Sequence, residues 1–429
     1  MTRHGVLTDA SIRTVEALMH HSISNGYTHL WILPSMDIKF TLDDVQALRD
    51  TSKWDVGPNG KFISVQKNTK WKGYITSITG RSLVPRPSMN TRLIFVQQSN
   101  WPLDAATDDE LLRTCAEIEK ALGVAMAGSP TSVGLRYLEK MNTRYYEHYF
   151  EKSTEVAWDE MKTAHIPFHA WFPAIPSIEG YFLHCFDRNS SQPYAASQEN
   201  MGVGKPEMIE GGWFEIVKGK PALPGLWDVE IDASGVDMAG LPPLFPKGRV
   251  WYPTPLLRVA AYAGCKIQVN QGMVWPEGKP IFERWTKDLW KLRQQYPDGS
   301  MERQSVKSIM NNVVGSTRIG EEMDRTMRPD WYATVIGSER AVVWYKAYAL
   351  RNKYKVHPVG AYADALYYLS MHEKPELAVP TMLDNKNSLG GYKLAWTLKI
   401  DKNGREVLGE KMGAANRIGE LKKLVKIYE

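Results

Sequence analysis

The sequence predicts an α+β fold divided into two or three domains, and three observations carry that prediction. The chain has 429 residues, 43% of them hydrophobic and 24% charged, a globular composition whose length matches two or three ordinary domains. Strand-like apolar runs, among them 28–33, 92–97, 181–187, 226–231 and 389–399, are interspersed with segments of helical periodicity. Two consecutive helical segments, 281–296 and 301–314, are separated only by Pro297, Asp298 and Gly299, the pattern of a helical hairpin.

Composition narrows the class of partner. The net charge of +5 together with 15 Trp and 20 Tyr suits a ligand made of bases and phosphates, which stack on aromatic rings and pair with cations. Cys115, Cys185 and Cys265 are widely separated and form no CxxC or Cys/His spacing, so a reducing compartment and no structural zinc are expected. The first residues lead into an amphipathic segment, and no apolar run approaches 18 residues; the expectation is a cytoplasmic protein with no membrane partner.

Taken in order, residues 8–24 carry Ile12, Val15, Leu18 and Met19 at helical spacing, closed by Gly26. A strand is expected at 28–33 and a short capped helix at 41–48. Lys67, Lys70 and Lys72 lie among Trp71 and Tyr74 in a basic strand or loop region at 61–79. The run 92–97 reads as a strand. At 107–122 Thr107 and Glu110 form a capping box and Leu111, Leu112, Ala116, Ile118 and Leu122 form a buried stripe, with Gly123 as terminator.

In the second half, the run 181–187 ends at Asp187, a polar turn follows, and Pro193 stands where a helix begins. A carboxylate beside turn and helix amides suits a metal-bound phosphate, because the acid holds a hard cation while the N–H groups receive the anion. The stretch from Met201 to Lys205 lacks the spacer and hydroxyl of a phosphate loop and reads as a turn. A strand at 226–231, a helix at 254–264 opened by Pro255, and a strand at 266–269 come next. The helix at 301–314 sets Arg303, Lys307 and Asn311 at successive spacings of four, with Gly315 as its terminator. A helix at 338–353 then leads to the apolar pair of strands at 356–369, which has Asp364 in its middle. An acid in such a setting is costly unless paired or metal-bound.

Two acids and a cationic helix between them match the needs of two divalent ions over a triphosphate. At these residues the sequence resembles the family B DNA polymerases. Asp187-Arg-Asn-Ser-Ser-Gln-Pro193 looks like the first palm motif, Asp-x-x-Ser-Leu-Tyr-Pro. Lys307-Ser-Ile-Met-Asn311-Asn-Val-Val-Gly315 looks like the fingers motif, Lys-x-x-x-Asn-x-x-Tyr-Gly. The stretch around Tyr362 and Asp364 resembles the second palm motif, with Asp364 matched to the second of its two acids, and Leu389-Gly-Gly-Tyr-Lys393 resembles the basic segment that follows. The resemblance covers about residues 166–400.

The resemblance implies a right-hand polymerase. Its antiparallel-sheet palm would take 166–276 and 321–400, helical-hairpin fingers 277–320, a residual thumb or tail 401–429, and a mixed α/β N-terminal domain 1–165. It implies template-dependent extension of a primer 3′-hydroxyl with deoxynucleoside triphosphates. Asp187, Asp364 and the carbonyl of Arg188 would hold two magnesium ions, replaceable by manganese. Ser190, Ser191 and Gln192 would bind phosphates through backbone amides, Arg303 and Lys307 the triphosphate, Asn311 the nascent base pair and Lys393 the primer-template backbone. A protein partner could replace the thumb. Proofreading is not expected, because the one exonuclease-like fragment, Met36 to Lys39, has a lysine where a second acid is needed.

Three positions depart from the family. Gln192 replaces a tyrosine that excludes ribose, Tyr362 replaces the first acid of the second palm motif, and Val314 replaces the fingers tyrosine. Relaxed sugar selection is the expectation, with neighbouring Tyr194 a substitute gate. An inactive polymerase-derived nucleic-acid-binding replication factor and a primase-polymerase are the alternatives.

Overall fold

A computed structural model describes residues 2–51, 53–56, 77–83, 90–98, 101–103, 106–142, 164, 170–173, 179–214, 222–245, 248–317, 328–379 and 388–401. The basic segment 61–76, the first domain boundary near 165 and the tail 402–429 lie outside the described residues. The chain divides into two compact units, Met1–Thr143 with Asp288–Val313, and Arg144–Lys287 with Val314–Glu429.

The first unit is built on a mixed sheet of β1 (His4–Val6), β2 (His29–Ile32), β3 (Trp54–Val56), β4 (Ser77–Ser82) and β5 (Asn90–Phe95), in the order β1-β2-β5-β4-β3. The β1, β2 and β5 pairings are parallel, those of β4 with β5 and β3 antiparallel. Helix α1 (Val15–Ser24) lays Leu18 and Met19 on a core with Leu30, Ile78, Leu93 and Phe95. It starts later than residue 8 because Asp9 accepts from the Ser11 amide and hydroxyl, a local turn that competes with helix, and Thr14 then caps the amide of Ala17. Both α2 (Leu42–Asp50) and α3 (Asp108–Leu122) have complete capping boxes, at Thr41/Asp44 and Thr107/Glu110, and Gly123 closes α3 in the left-handed region.

Helix α4 (Pro130–Met141), absent from the sequence reading, opens on a Ser129 cap with proline at its first position. The helical hairpin is formed by α7 (Glu283–Gln295) and α8 (Met301–Ser316); Gly315 lies inside α8 rather than ending it. Gly134 of α4 packs against Ile309 and Val313 of α8, an approach that any side chain at 134 would block.

In the second unit, strands β6 (Ala170–Trp171), β7 (Phe182–Arg188), β14 (Gly360–Tyr362), β15 (Ala365–Ser370) and β16 (Tyr392–Lys399) form an antiparallel sheet in the order β16-β7-β15-β14-β6. Alternation along β7 gives the sheet two faces. Leu183 and Cys185 join Ala365, Tyr367 and Leu398 on one, whereas Phe186 joins Leu366 and Tyr368 on the other. A second antiparallel sheet has the order β11-β10-β12-β9, from β9 (Glu207–Glu210), β10 (Gly225–Asp232), β11 (Val250–Pro253) and β12 (Lys266–Val274).

Met201–Val203, part of the stretch read as a turn for want of a phosphate loop's spacer and hydroxyl, is a strand, β8, paired with β13 (Glu277–Lys279). Gly202 is there for packing: Trp275 covers it, and its carbonyl accepts from Arg328 and Trp331. Helix α5 (Ser191–Gln198) follows β7, α6 (Thr254–Ala263) ends at left-handed Gly264, and α10 (Pro375–Ala378) is a single turn. Helix α9 (Pro329–Tyr354) begins well before the expected start at residue 338. Its first turns bury Asp330, Thr334, Ser338, Glu339 and Arg340 along with apolar residues, so no polar stripe marks them as helical. Among the described residues no helix is long and apolar enough to cross a membrane.

Candidate active site

Strand β7 lies between β15 and β16, and the candidate site is at its C-terminal end. Its last pair with β15 joins Phe186 to Leu366. One step further Asp187 reaches the turn between β14 and β15. Tyr362 pairs with Ala365, leaving a two-residue turn of Ala363 and Asp364 in which Ala363 has φ +50°. Asp364 is therefore at a hairpin tip and not within an apolar strand, a conformation that two-residue hairpins require. The sheet thus sets the two acids at one edge.

The electrostatics agree with that proximity. Burial raises the Asp364 carboxyl to about 7, reinforced by the negative charges of Asp187 and Glu339. On the opposite side of β7, Lys393 pairs in register with Asp187, its Nζ 3.6 Å from Oδ2.

Arg188 fastens the turn beyond Asp187. Only 3% exposed, it donates from Nε to the Gly390 carbonyl at 3.1 Å and from Nη1 to Ser191 Oγ at 3.4 Å. Its guanidinium is 5.0 Å from the Tyr194 ring centroid and 5.5 Å from that of Tyr392. The Asn189 amide bonds the Gly391 carbonyl, and the Gly390 amide bonds Asn189 in return. Sequence reasoning gave Arg188 only a backbone role; its side chain locks two turns together. Tyr194 is accordingly packed on Arg188 and against Gly390.

Ser190 caps α5 with φ +49° and does not use its side chain for the capping hydrogen bond. The amides of Ser191 and Gln192 therefore open the positive end of a helix whose third residue, Pro193, has no N–H. Ser191 is buried and Gln192 partly exposed.

Glu339 and Arg340 went unmarked in the sequence reading. Glu339 is 2% exposed, and its carboxyl is raised by burial against the opposing pull of Arg340, whose Nη1 is 3.3 Å from Oε2. The Ser191 hydroxyl donates to it. The available signal was an acid and a base immediately before the apolar run Ala341–Tyr345.

Arg303, Lys307 and Asn311 belong to the first unit. All three line one cavity of about 490 Å³, together with Asp298, Gln304 and Ser308. Arg303 is engaged in the hairpin: Nη1 donates to the carbonyls of Arg293 and Tyr296, both at 3.0 Å, and Nε lies 2.8 Å from Asp298. It closes the C-terminus of α7, a favourable place for a cation. In the same unit Asp37 is left-handed, with φ +44°, and pairs with Lys39 at 3.5 Å.

The fold has known counterparts. The fold is similar to that of Phi29 DNA polymerase. The chain aligns with that polymerase complexed with primer-template DNA and incoming nucleotide substrates at a TM-score of 0.57 and 12% identity, over 90% of this chain and 79% of the other. The orthorhombic crystal form gives 0.58 and 13%, and the complex with single-stranded DNA 0.57 and 13%, each over 90% of this chain and 78% of the other. No family model and no curated protein matches the sequence.

The donor set at the end of β7 fits a hard divalent cation. The negative charge of Asp187 disfavours ionisation of Asp364, and a bound cation would relieve that. Among the described residues no group of three or more His, Cys, Asp or Glu side chains is gathered to hold an ion, so backbone oxygens and water would complete the coordination of any ion held by Asp187 and Asp364. Magnesium commonly keeps several waters in this way.

Proposed function

We propose that the chain is a DNA-directed DNA polymerase that extends a primer 3′-hydroxyl with deoxynucleoside triphosphates. The observation that carries this reading is the meeting of Asp187 and Asp364 at the strand–turn–helix corner of a polymerase-like fold. Asp187, Asp364 and the carbonyl of Arg188 would hold two magnesium or manganese ions, which acidify an attacking hydroxyl and offset charge on a leaving pyrophosphate.

The protein's own residues do the rest. The amides of Ser190, Ser191 and Gln192 receive phosphate oxygens at the start of α5. Lys307 supplies positive charge and Asn311 an amide for the base pair, whereas Arg303 acts through the hairpin turn it closes. Lys393 is shared between Asp187 and the primer-template backbone. In this reading α7 and α8 are fingers and the β7 sheet is palm. Gln192 borders the sugar position, and Tyr194 does not gate it, because its ring is committed to Arg188.

One observation favours the alternative of an inactive nucleic-acid-binding protein: an ammonium already faces Asp187. Extension of primed and unprimed templates with Mg²⁺, using deoxy- and ribonucleotides separately, decides. Asp187→Asn and Asp364→Asn are each expected to abolish extension while leaving the circular-dichroism spectrum unchanged. Wild-type extension by either variant, or no extension by the parent chain on any template, overturns the reading. Ribonucleotide incorporation comparable to that of deoxynucleotides is the expected result of having Gln192 at the sugar.

A further inference from the structure

We propose that Glu339 is a third acid of the cation site, a positioning residue that accepts hydrogen bonds from the water shell of a divalent ion held by Asp187 and Asp364. The inference rests on the polymerase reading and adds to it a residue from outside the motifs.

Its first support is the state of the carboxylate. Glu339 is 2% exposed, and its Oε2 is fully buried without a hydrogen bond. Buried polar atoms in native proteins nearly always have a partner, and an orphan oxygen marks a place for a bound water or ion. The neighbouring Arg340 guanidinium forms an ion pair with Oε2 but not a hydrogen bond.

The second support is where α9 puts it. The helix packs against α5 and against β15, the strand that follows Asp364. Glu339 pairs with Arg340 on its own helix and feels Ser191 at the start of α5 and the charges of Arg188 and Asp187 from β7, while Asp364 feels the negative charge of Glu339. A carboxylate with a purely structural task is best placed away from other acids, because burying a charge is costly and like charges add to that cost. Here three carboxylates converge beside two guanidinium groups.

The third support is stoichiometric. The β14–β15 hairpin offers a single carboxylate, since Tyr362, two residues before Asp364, carries a phenol. Among the described residues no three side chains are gathered to hold an ion directly, so Glu339 acts through water. Residues that hold a metal's outer sphere commonly change affinity by about tenfold or more when altered.

The test measures Mn²⁺ binding to the full chain, without nucleotide or DNA, by counting free Mn²⁺ with electron paramagnetic resonance. Glu339→Gln is expected to weaken binding about tenfold, and Glu339→Asp, which keeps the charge, to restore part of the loss. The metal-free melting temperature of Glu339→Gln should not fall. In primer extension the half-saturating Mg²⁺ concentration should rise more than the rate at saturating Mg²⁺ falls. If Glu339→Gln binds Mn²⁺ like the parent chain while Asp364→Asn does not, Glu339 is structural and the inference fails, with the polymerase reading intact. If Asp364→Asn also binds normally, the acid-pair reading fails and takes the inference with it. If Glu339→Gln does not fold and Glu339→Asp binds Mn²⁺ normally, the residue belongs to the fold and the inference is overturned.

Discussion

Asp364 titrates near neutrality in the folded chain, at about 7 against an ordinary value of 3.8, and this has a definite sign for stability. The unfolded chain releases the proton first. The contribution of Asp364 to stability is therefore greatest at low pH, declines as pH rises through the ordinary value, and stops falling above about 7. Thermal melts of the metal-free protein should show this decline between pH 4 and 7, and Asp364→Asn should remove it. Cation binding displaces the proton, so Mg²⁺ should raise the melting temperature more at pH 8 than at pH 6. Lys393 is about two-fifths exposed, which limits the worth of its pair with Asp187 to about 1 kcal/mol or less. Lys393→Met should lower the slope of log affinity for primer-template DNA against log salt by about one unit, and an unchanged slope would separate Lys393 from the nucleic acid.

Among the elements, the turn before β16 is the most sensitive. Gly390 has φ +73°, and a Cβ there would enter the Tyr194 ring. Gly390→Ala is expected to cost about 1–3 kcal/mol in urea unfolding and to weaken Mn²⁺ binding, because the Gly390 carbonyl is an anchor of Arg188. Thr107→Ala, which removes the α3 cap far along the chain from the acids, should cost about 1 kcal/mol with no change in Mn²⁺ binding.

Elements with local signals were legible in the sequence. Capping boxes fixed α2 and α3, and glycine or proline punctuation fixed the ends of α6 and the break between α7 and α8. What was not legible depended on tertiary partners. The first turns of α9 bury polar residues whose partners lie on other elements, such as Ser338 bonded to Glu199, and a burial pattern of that kind has no period to read. Tyr194 and Arg188 were read from a motif as backbone and ring, whereas their side chains serve each other.

At the scale of the whole molecule, the order of acids and cations along the chain pointed to a polymerase-like fold, and the fold agrees at that level. Asp187 and Asp364 stood out in the sequence because the first ends an apolar run and the second interrupts one. Glu339 was not, because nothing along the sequence says that α9 lies beside them. The first unit leads to a separate prediction: Asp37 is paired with Lys39 and 78% exposed, a poor ligand for a nuclease metal. The full chain should leave a 3′-end-labelled single strand intact with Mg²⁺ or Mn²⁺, and steady 3′→5′ shortening that persists in Asp187→Asn would place a nuclease in this unit.

The order β16-β7-β15 also bears on synthesis. Both acids have been translated by residue 364, yet β7 remains open on one side until the segment to Lys399 joins it. Pairings so distant in sequence form slowly. A chain cut after residue 388 would carry Asp187, Asp364 and Glu339 without the Arg188 anchor at Gly390 or the Lys393 counter-charge, and is expected to bind Mn²⁺ more weakly than the full chain.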